Sequence, residues 1–393
     1  MSLPLNVITG FLGSGKTTLL NRLLQDQSLG DTALLINEFG DIGIDHLLVQ
    51  EVAPDTVLLP SGCVCCSVRG ELKEALLALL ARRSRGEVPA FRRVLLETTG
   101  LADPAPILAT VNNDPQLRGR VHIGLLVTLV DASHAALQER LHPEWLAQVA
   151  AADRLLLSKT DCVDEATQAA LREHLQRLNP GAPLLLTQAI QSGDQLLLGE
   201  GLRGATAERE VARWQLQGPL KAAAPQHGAA QVCSLEFEQA LDWVGFGVWL
   251  SMLLRCHGER ILRVKGLLNI NANQAPIVIH GVQHCLHAPV HLPRWPSADH
   301  RSRLVFILRG LEPEPLRRSF EVFARSFVPA AGEGPDGGDA TGHPAGAGHL
   351  GDPARIPAGA RRAGPGHPPG VSGTRCGAGP AHRGDAAGQL RPL

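Results

Sequence analysis

The sequence predicts an α/β fold, a parallel sheet flanked by helices, followed by a smaller α+β domain. Three observations predict it. Short apolar runs alternate with helix-period segments through residues 1–217. The first such run leads through a glycine-rich turn straight into a helical pattern. The stretch 218–230 then breaks the alternation with Pro, Gly and Ala, and strands and helices follow in a different order to residue 328.

In chain order, the expected strands of the first domain are 5–8, 33–36, 56–59, 93–96, 124–130, 155–157 and 183–186, with helices over 16–25, 71–83 and 165–178. Leu171, Leu175 and Leu178 share one face of the last helix. Right-handed crossovers place the loops after the strand C-termini along one sheet edge, where ligands bind in such folds. Residues 218–230 read as a linker. The second domain, 231–328, has expected strands at 232–237, 261–268, 277–282 and 304–308 and helices at 243–254 and 315–327. Residues 329–393 have no aromatic residue and no period, and read as a disordered Gly/Pro/Ala-rich tail that cannot offset its chain entropy.

Composition narrows the function classes. The chain of 393 residues is 44% hydrophobic and 19% charged, with a formal net charge of −1. This balance reads as globular and excludes the basic surface expected of a nucleic-acid or acidic-membrane binder. The start Met1-Ser2-Leu3-Pro4-Leu5-Asn6 lacks a basic leader, and the greasy run 243–254 is too short to span a bilayer, so the expected location is cytoplasmic. Three of the eight cysteines, Cys63, Cys65 and Cys66, fall within four positions; in a reducing compartment that favours metal binding or redox chemistry over disulfides.

Gly10-Phe11-Leu12-Gly13-Ser14-Gly15-Lys16-Thr17 satisfies the P-loop pattern between a strand and a helix, which makes the first domain a P-loop NTPase sheet. The residues Gly10, Gly13, Ser14, Gly15, Lys16, Thr17 and Thr18 are the expected phosphate contacts. Backbone N–H groups at the helix start face the anion, Lys16 reaches the β/γ-phosphates and the Thr17 hydroxyl ligates Mg²⁺. The strand ending Leu95-Leu96-Glu97 supplies an acid for the same Mg²⁺, and Gly100 an N–H that senses the γ-phosphate. The segment 37–45 suits a switch loop, in which Asp41 is read as an outer Mg²⁺ or water-positioning carboxylate and Glu38 as an added ligand for a transferred metal.

Ser158-Lys159-Thr160-Asp161 resembles the GTPase specificity motif N/T-K-x-D, with serine where asparagine is commonest. Its aspartate accepts from the guanine N1–H and 2-amino group, a donor pair adenine lacks, and the lysine stem packs along the base. GTP is expected over ATP. A capping role for Asp161 is the alternative, though Asp164 is better placed for it. Cys63-Val64-Cys65-Cys66, read as a loop before the helix at 71, can give two or three thiolates to a single soft or borderline cation, with other ligands coming from elsewhere. A redox pair or unliganded thiols remain the alternatives. His280, His284, His287 and His291 are read as structural or client-contact residues, with His280 and His284 on one face of a strand.

As a set, 10–17, 37–40, 62–66, 97–104 and 158–161, with 261–266 and 281–284 in the second domain, resemble the CobW-type GTPases and metallochaperones over residues 1–328. The resemblance implies a GTP hydrolase that carries zinc or cobalt to a client metalloprotein or a cobalamin-pathway enzyme. The linker departs from it, since His227 alone stands where many relatives have a His-rich run, and so does the tail. A P-loop ATPase or small-molecule kinase with a redox or structural thiol cluster is the alternative reading.

Overall fold

The computed structural model describes residues 2–24, 29–36, 64–193, 211, 230–270 and 275–326, all within one compact unit over 1–338. The first sheet contains β1 (Leu3–Gly10), β2 (Thr32–Ile36), β3 (Arg93–Glu97), β4 (Val121–Asp131), β5 (Arg154–Ser158) and β6 (Leu184–Leu186). They lie in the order β2-β3-β1-β4-β5-β6, and every neighbouring pair is parallel. Both faces are covered, which is why the strands read as unbroken apolar runs. Leu5, Ile8, Leu95, Val127 and Leu156 are all fully buried.

The helices of this half are α1 (Lys16–Leu24), α2 (Val64–Ser84), α3 (Pro104–Asn113), α4 (Ala135–Leu141), α5 (Pro143–Ala151) and α6 (Glu165–Leu178). Helices α3, α4 and α5 were not expected. Two of them begin at a proline, Pro104 and Pro143, which is pre-organised for a first helical turn but reads as a breaker in a pattern search. Helix α2 starts at Val64 rather than 71, so the backbone of Cys65 and Cys66 is in its first turn and not in a loop. Only Gly70 interrupts that stretch, and one glycine costs a helix little against the packing of Leu72, Leu76 and Leu79. The expected strand 56–59 lies outside the described residues.

The second sheet runs β10 (Cys285–Leu286), β9 (Ile277–Val282), β8 (Ile261–Leu268), β12 (Ser302–Arg309), β7 (Ala230–Phe237), with β11 (Val290–His291) pairing β9. All its pairings are antiparallel. Helices α7 (Trp243–His257) and α8 (Pro313–Ser326) cover it. Trp249 centres that core, with ring centroids 5.9, 6.2 and 5.0 Å from Phe246, Phe306 and Phe320, in tilted or edge-on contacts suited to aromatic quadrupoles.

The two sheets share packing. Val282 and Cys285 of the second join the core formed by α2 and α3, and Leu262 and Ile307 join the core around Trp145 and Leu175. His280 stacks on His287 at 3.9 Å between ring centroids, whereas His284 lies in the turn beyond β9, so His280 and His284 do not share a strand face. Among the described residues, no helix is long and apolar enough to cross a membrane.

Candidate functional site

Parallel registry gathers the chemistry at one sheet edge. Ile8 pairs with Glu97, Gly10 with Leu129 and Asp131 with Ser158, so the ends of β1, β3, β4 and β5 open together. The P-loop leaves β1 there. Gly10, at φ +140°, lies where a Cβ would meet the Leu129 carbonyl oxygen at 2.4 Å, so no other residue fits. Gly13 and Gly15 also have positive φ, +72° and +91°. The Leu19 N–H reaches the Gly15 carbonyl at 2.9 Å and starts α1. The Lys16 ammonium is buried and donates to the carbonyls of Gly10 (3.0 Å) and Phe11 (3.3 Å), which folds it across the loop. The fully buried Ser14 hydroxyl has no hydrogen-bond partner among the described residues, a cost that an anion in the loop would remove. Thr18 is exposed on α1.

Thr17 Oγ1 donates to Glu97 Oε1 at 2.9 Å. A hydroxyl and a carboxylate brought together from two elements are hard oxygen donors that suit Mg²⁺, so these residues fit the metal that P-loop folds imply. The segment after Glu97 is pinned throughout. Thr98 Oγ1 donates to Thr9 Oγ1 at 2.8 Å. A Cβ on Gly100 would stand 2.5 Å from the Leu12 nitrogen, so only glycine lets this loop abut the P-loop. Buried Gln148 of α5 donates its amide to the carbonyls of Gly100 (3.1 Å) and Ala102 (3.0 Å). Asp103 caps α3 by accepting from the Ala105 N–H at 2.9 Å.

The Ser158–Asp161 loop meets the P-loop directly. Ser158 Oγ donates to the Ser14 carbonyl at 2.7 Å and to the Val130 carbonyl at 3.2 Å. The serine that departs from the commoner asparagine therefore ties this loop to the phosphate loop. Lys159 adopts a left-handed backbone, φ +54°, and its ammonium meets Asp131 Oδ2 at 2.7 Å. Asp131 also accepts from the Ser133 N–H at 2.9 Å and the Ser133 hydroxyl at 2.5 Å. Burial pushes its carboxyl up, but the bonds from Lys159 and Ser133 outweigh that and hold it below the usual value, so it is ionised at neutral pH. Asp164, not Asp161, caps α6, accepting from the Thr167 N–H at 2.7 Å. Asp161 stays exposed.

Glu38, Asp41 and Cys63 lie outside the described residues, as do the side chains of Cys65 and Cys66. Among the described residues, no group of three or more His, Cys, Asp or Glu can hold a metal ion. Sequence reading missed Asp131 and Gln148. Asp131 ends an apolar strand just as Glu97 does, and the same rule would have found it. Gln148 is the one amide within Trp145-Leu146-Ala147-Gln148-Val149-Ala150-Ala151, a polar residue on an apolar helix that must find a buried partner.

A parallel sheet with a glycine-rich loop at its edge, a Thr–Glu oxygen pair and a Ser-Lys-x-Asp loop hydrogen-bonded to it defines a P-loop GTPase. The family described as the CobW/HypB/UreG nucleotide-binding domain matches residues 4–186, and the cobalamin synthesis protein cobW C-terminal domain matches residues 230–324. The chain is 34% identical over 319 residues to the zinc chaperone YjiA of Escherichia coli strain K12, covering 81% of this chain and 98% of that one. It is 29% identical to the zinc-regulated GTPase metalloprotein activator 1 of Saccharomyces cerevisiae, covering 80% of this chain and 82% of that protein. The crystal structure of Zn(II)-bound YjiA GTPase from E. coli superimposes with a TM-score of 0.60 at 26% identity, over 82% of this chain and 99% of that one. The chain belongs to the CobW family of P-loop GTPases.

Proposed function

We propose that this GTPase is a metallochaperone that binds zinc or cobalt through Cys63, Cys65 and Cys66 and passes it to a client metalloprotein or a cobalamin-pathway enzyme. One observation carries the reading. Helix α2, which begins at the cysteine motif, packs through Leu72, Leu76 and Leu79 on the core it shares with Ile107 and Val111 of α3, and α3 is the helix capped by Asp103 at the end of the Glu97 loop. The helix that carries the backbone of Cys65 and Cys66 thus packs on the helix that follows the Glu97–Asp103 loop. Relatives named as zinc chaperones support the same reading.

In this reading Lys16 and the P-loop amides orient the triphosphate, Ser158, Lys159 and Asp161 select guanine, and Gly100 contacts the γ-phosphate end. Thr17 and Glu97 would hold Mg²⁺, which would supply neutralisation of the charge that develops on the phosphates. Asp41 would serve as an outer Mg²⁺ or water-positioning carboxylate, and Glu38 would add an oxygen ligand to the cargo metal. Thiolates suit soft or borderline cations, and hydrolysis changes the geometry of the cysteine motif. In this reading the nucleotide domain is 1–217, the linker 218–230, the second domain 231–328 and the tail 329–393.

Coupling between the two sites is reciprocal: whatever factor GTP applies to zinc affinity, zinc applies to GTP affinity. Zinc titration of the full chain and of Cys65→Ala, with and without a non-hydrolysable GTP analogue, tests this. Weakened zinc binding in the variant and a nucleotide-dependent affinity in the parent are expected. Unchanged zinc affinity in Cys65→Ala ends the metal reading. Competition between GTP and ATP addresses the kinase or ATPase alternative: Asp161→Asn should weaken GTP and gain xanthosine nucleotides.

A further inference from the structure

The β9–β10 hairpin holds a side chain in a disfavoured conformation. Val282 pairs with Cys285, so Gln283 and His284 form a two-residue turn, and Gln283 has φ +51°. Left-handed backbone is costly for any residue with a Cβ, and glycine is the relaxed choice at the first position of such a turn. Strain of this kind persists where the surroundings enforce it and gathers at functional sites.

The Gln283 side chain reaches the nucleotide half of the molecule. Its amide donates to Asp103 Oδ2 at 2.9 Å, across 180 residues of sequence. The other carboxylate oxygen of Asp103 starts α3 through the Ala105 N–H. Asp103 closes the loop that begins at Glu97, the partner of Thr17, and passes Gly100 against Leu12. The hairpin itself is seated: Val282 and Cys285 share a core with Ile107, Leu108 and Val111 of α3, and the Asn112 amide donates to Cys285 Sγ at 3.2 Å. Burial pushes the Cys285 thiol up, so it stays a neutral acceptor.

We propose that Gln283 is a positioning residue for GTP hydrolysis, supplied by the second domain. It fixes the far end of the Glu97–Asp103 loop by orienting Asp103, and thereby sets where Glu97 and Gly100 stand against the P-loop. Resting on the metallochaperone reading, a client that shifts the hairpin changes turnover without touching the nucleotide.

The test is steady-state GTP turnover of the full chain carrying Gln283→Gly, Gln283→Glu or Gln283→Lys, with thermal unfolding of each. Gln283→Gly removes the side chain and relaxes the turn, so it should melt at or above the parent temperature while kcat falls about tenfold with KM little changed, as expected for a slightly misplaced catalytic loop. Gln283→Glu sets a second carboxylate against Asp103 and should lower kcat further. Gln283→Lys restores a donor and should recover most of it. A parental kcat in Gln283→Gly overturns the proposal. So does a loss that follows a lowered melting temperature and is not recovered by Gln283→Lys, since that assigns Gln283 to stability alone. Glu97→Gln, run alongside, tests the nucleotide-site assignment separately: full turnover there sinks that assignment, whereas lost turnover there with unchanged Gln283→Gly sinks only this proposal.

Discussion

Among the described residues, two seams join the second sheet to the first, and their polar contacts differ in kind. At one, β8 presents Arg263 and Lys265 to the turn between α5 and β5. Buried Arg263 donates to the Ala151 carbonyl and pairs with Asp153, while Lys265 donates to the Gly181 carbonyl at 2.9 Å. At the other, the hairpin lies on α3 through apolar contacts and two neutral donors, Gln283 and Asn112. A buried ion pair acts all or none, because losing one partner strands a charge. The Gln283 bond to the Asp103 carboxylate is worth roughly 1.5–3 kcal/mol and the Asn112 bond to a neutral sulfur less, and either can lengthen without stranding a buried cation. Leu262 and Ile307 pack beside the ion pair at the first seam, and the hairpin seam touches the loop that follows Glu97.

That contrast breaks first at Arg263. Arg263→Ala should destabilise the protein by roughly 3–5 kcal/mol, the usual cost of orphaning one member of a buried pair, read as a large drop in thermal midpoint. An unchanged midpoint would move the stability of the junction elsewhere. Asp153 sharpens the point through pH. Burial pushes its carboxyl up, and the charges of Arg263 and Lys265 and the Leu126 amide outweigh that and hold it low. A carboxyl depressed by folding contributes stability above its unfolded value, about 3.9, and loses it as the pH falls through the folded value. The stability advantage of the parent over Asp153→Asn should therefore be constant from neutrality to about pH 4 and shrink below it. A pH-independent advantage contradicts the pairing.

At the hairpin seam the expected effect is kinetic: Gln283→Gly should cost about 1.4 kcal/mol in activation free energy, the equivalent of tenfold in rate, with stability kept. The smallest effect belongs to Ser158→Ala, which removes the bond to the Ser14 carbonyl. About 1 kcal/mol, or roughly fivefold in GTP affinity, is expected with kcat retained, measured by nucleotide titration. Unaltered affinity would separate the base loop from the P-loop energetically.

Much of this was legible in the residues. The strand expected at 261–268 matches β8, a short apolar run broken only by Arg263, Lys265 and Gly266, and the helix expected at 165–178 matches α6, where Leu171, Leu175 and Leu178 share one face. Helix α3 was not legible, because Pro104 and Pro106 interrupt its period and its start depends on an Asp103 cap that looks like any loop acid. The start of α2 was missed because the cysteine motif was read as a loop. Within the site, Glu97 was found from its place at a strand end. The role of Ser158 was not, since its partner is a backbone carbonyl 144 positions away.

The sequence by itself determined the elements whose cause is local: the period of an apolar run, the glycines that permit positive φ at 10, 13 and 15, and the capping acid before α6. The tertiary structure alone decided which distant groups share a hydrogen bond: Ser158 with Ser14, Gln148 with Gly100, Gln283 with Asp103. The reason is that local preference acts over a few residues of chain, whereas a buried donor must take whichever acceptor the packing of two sheets brings within about 3 Å, wherever that acceptor falls in the sequence.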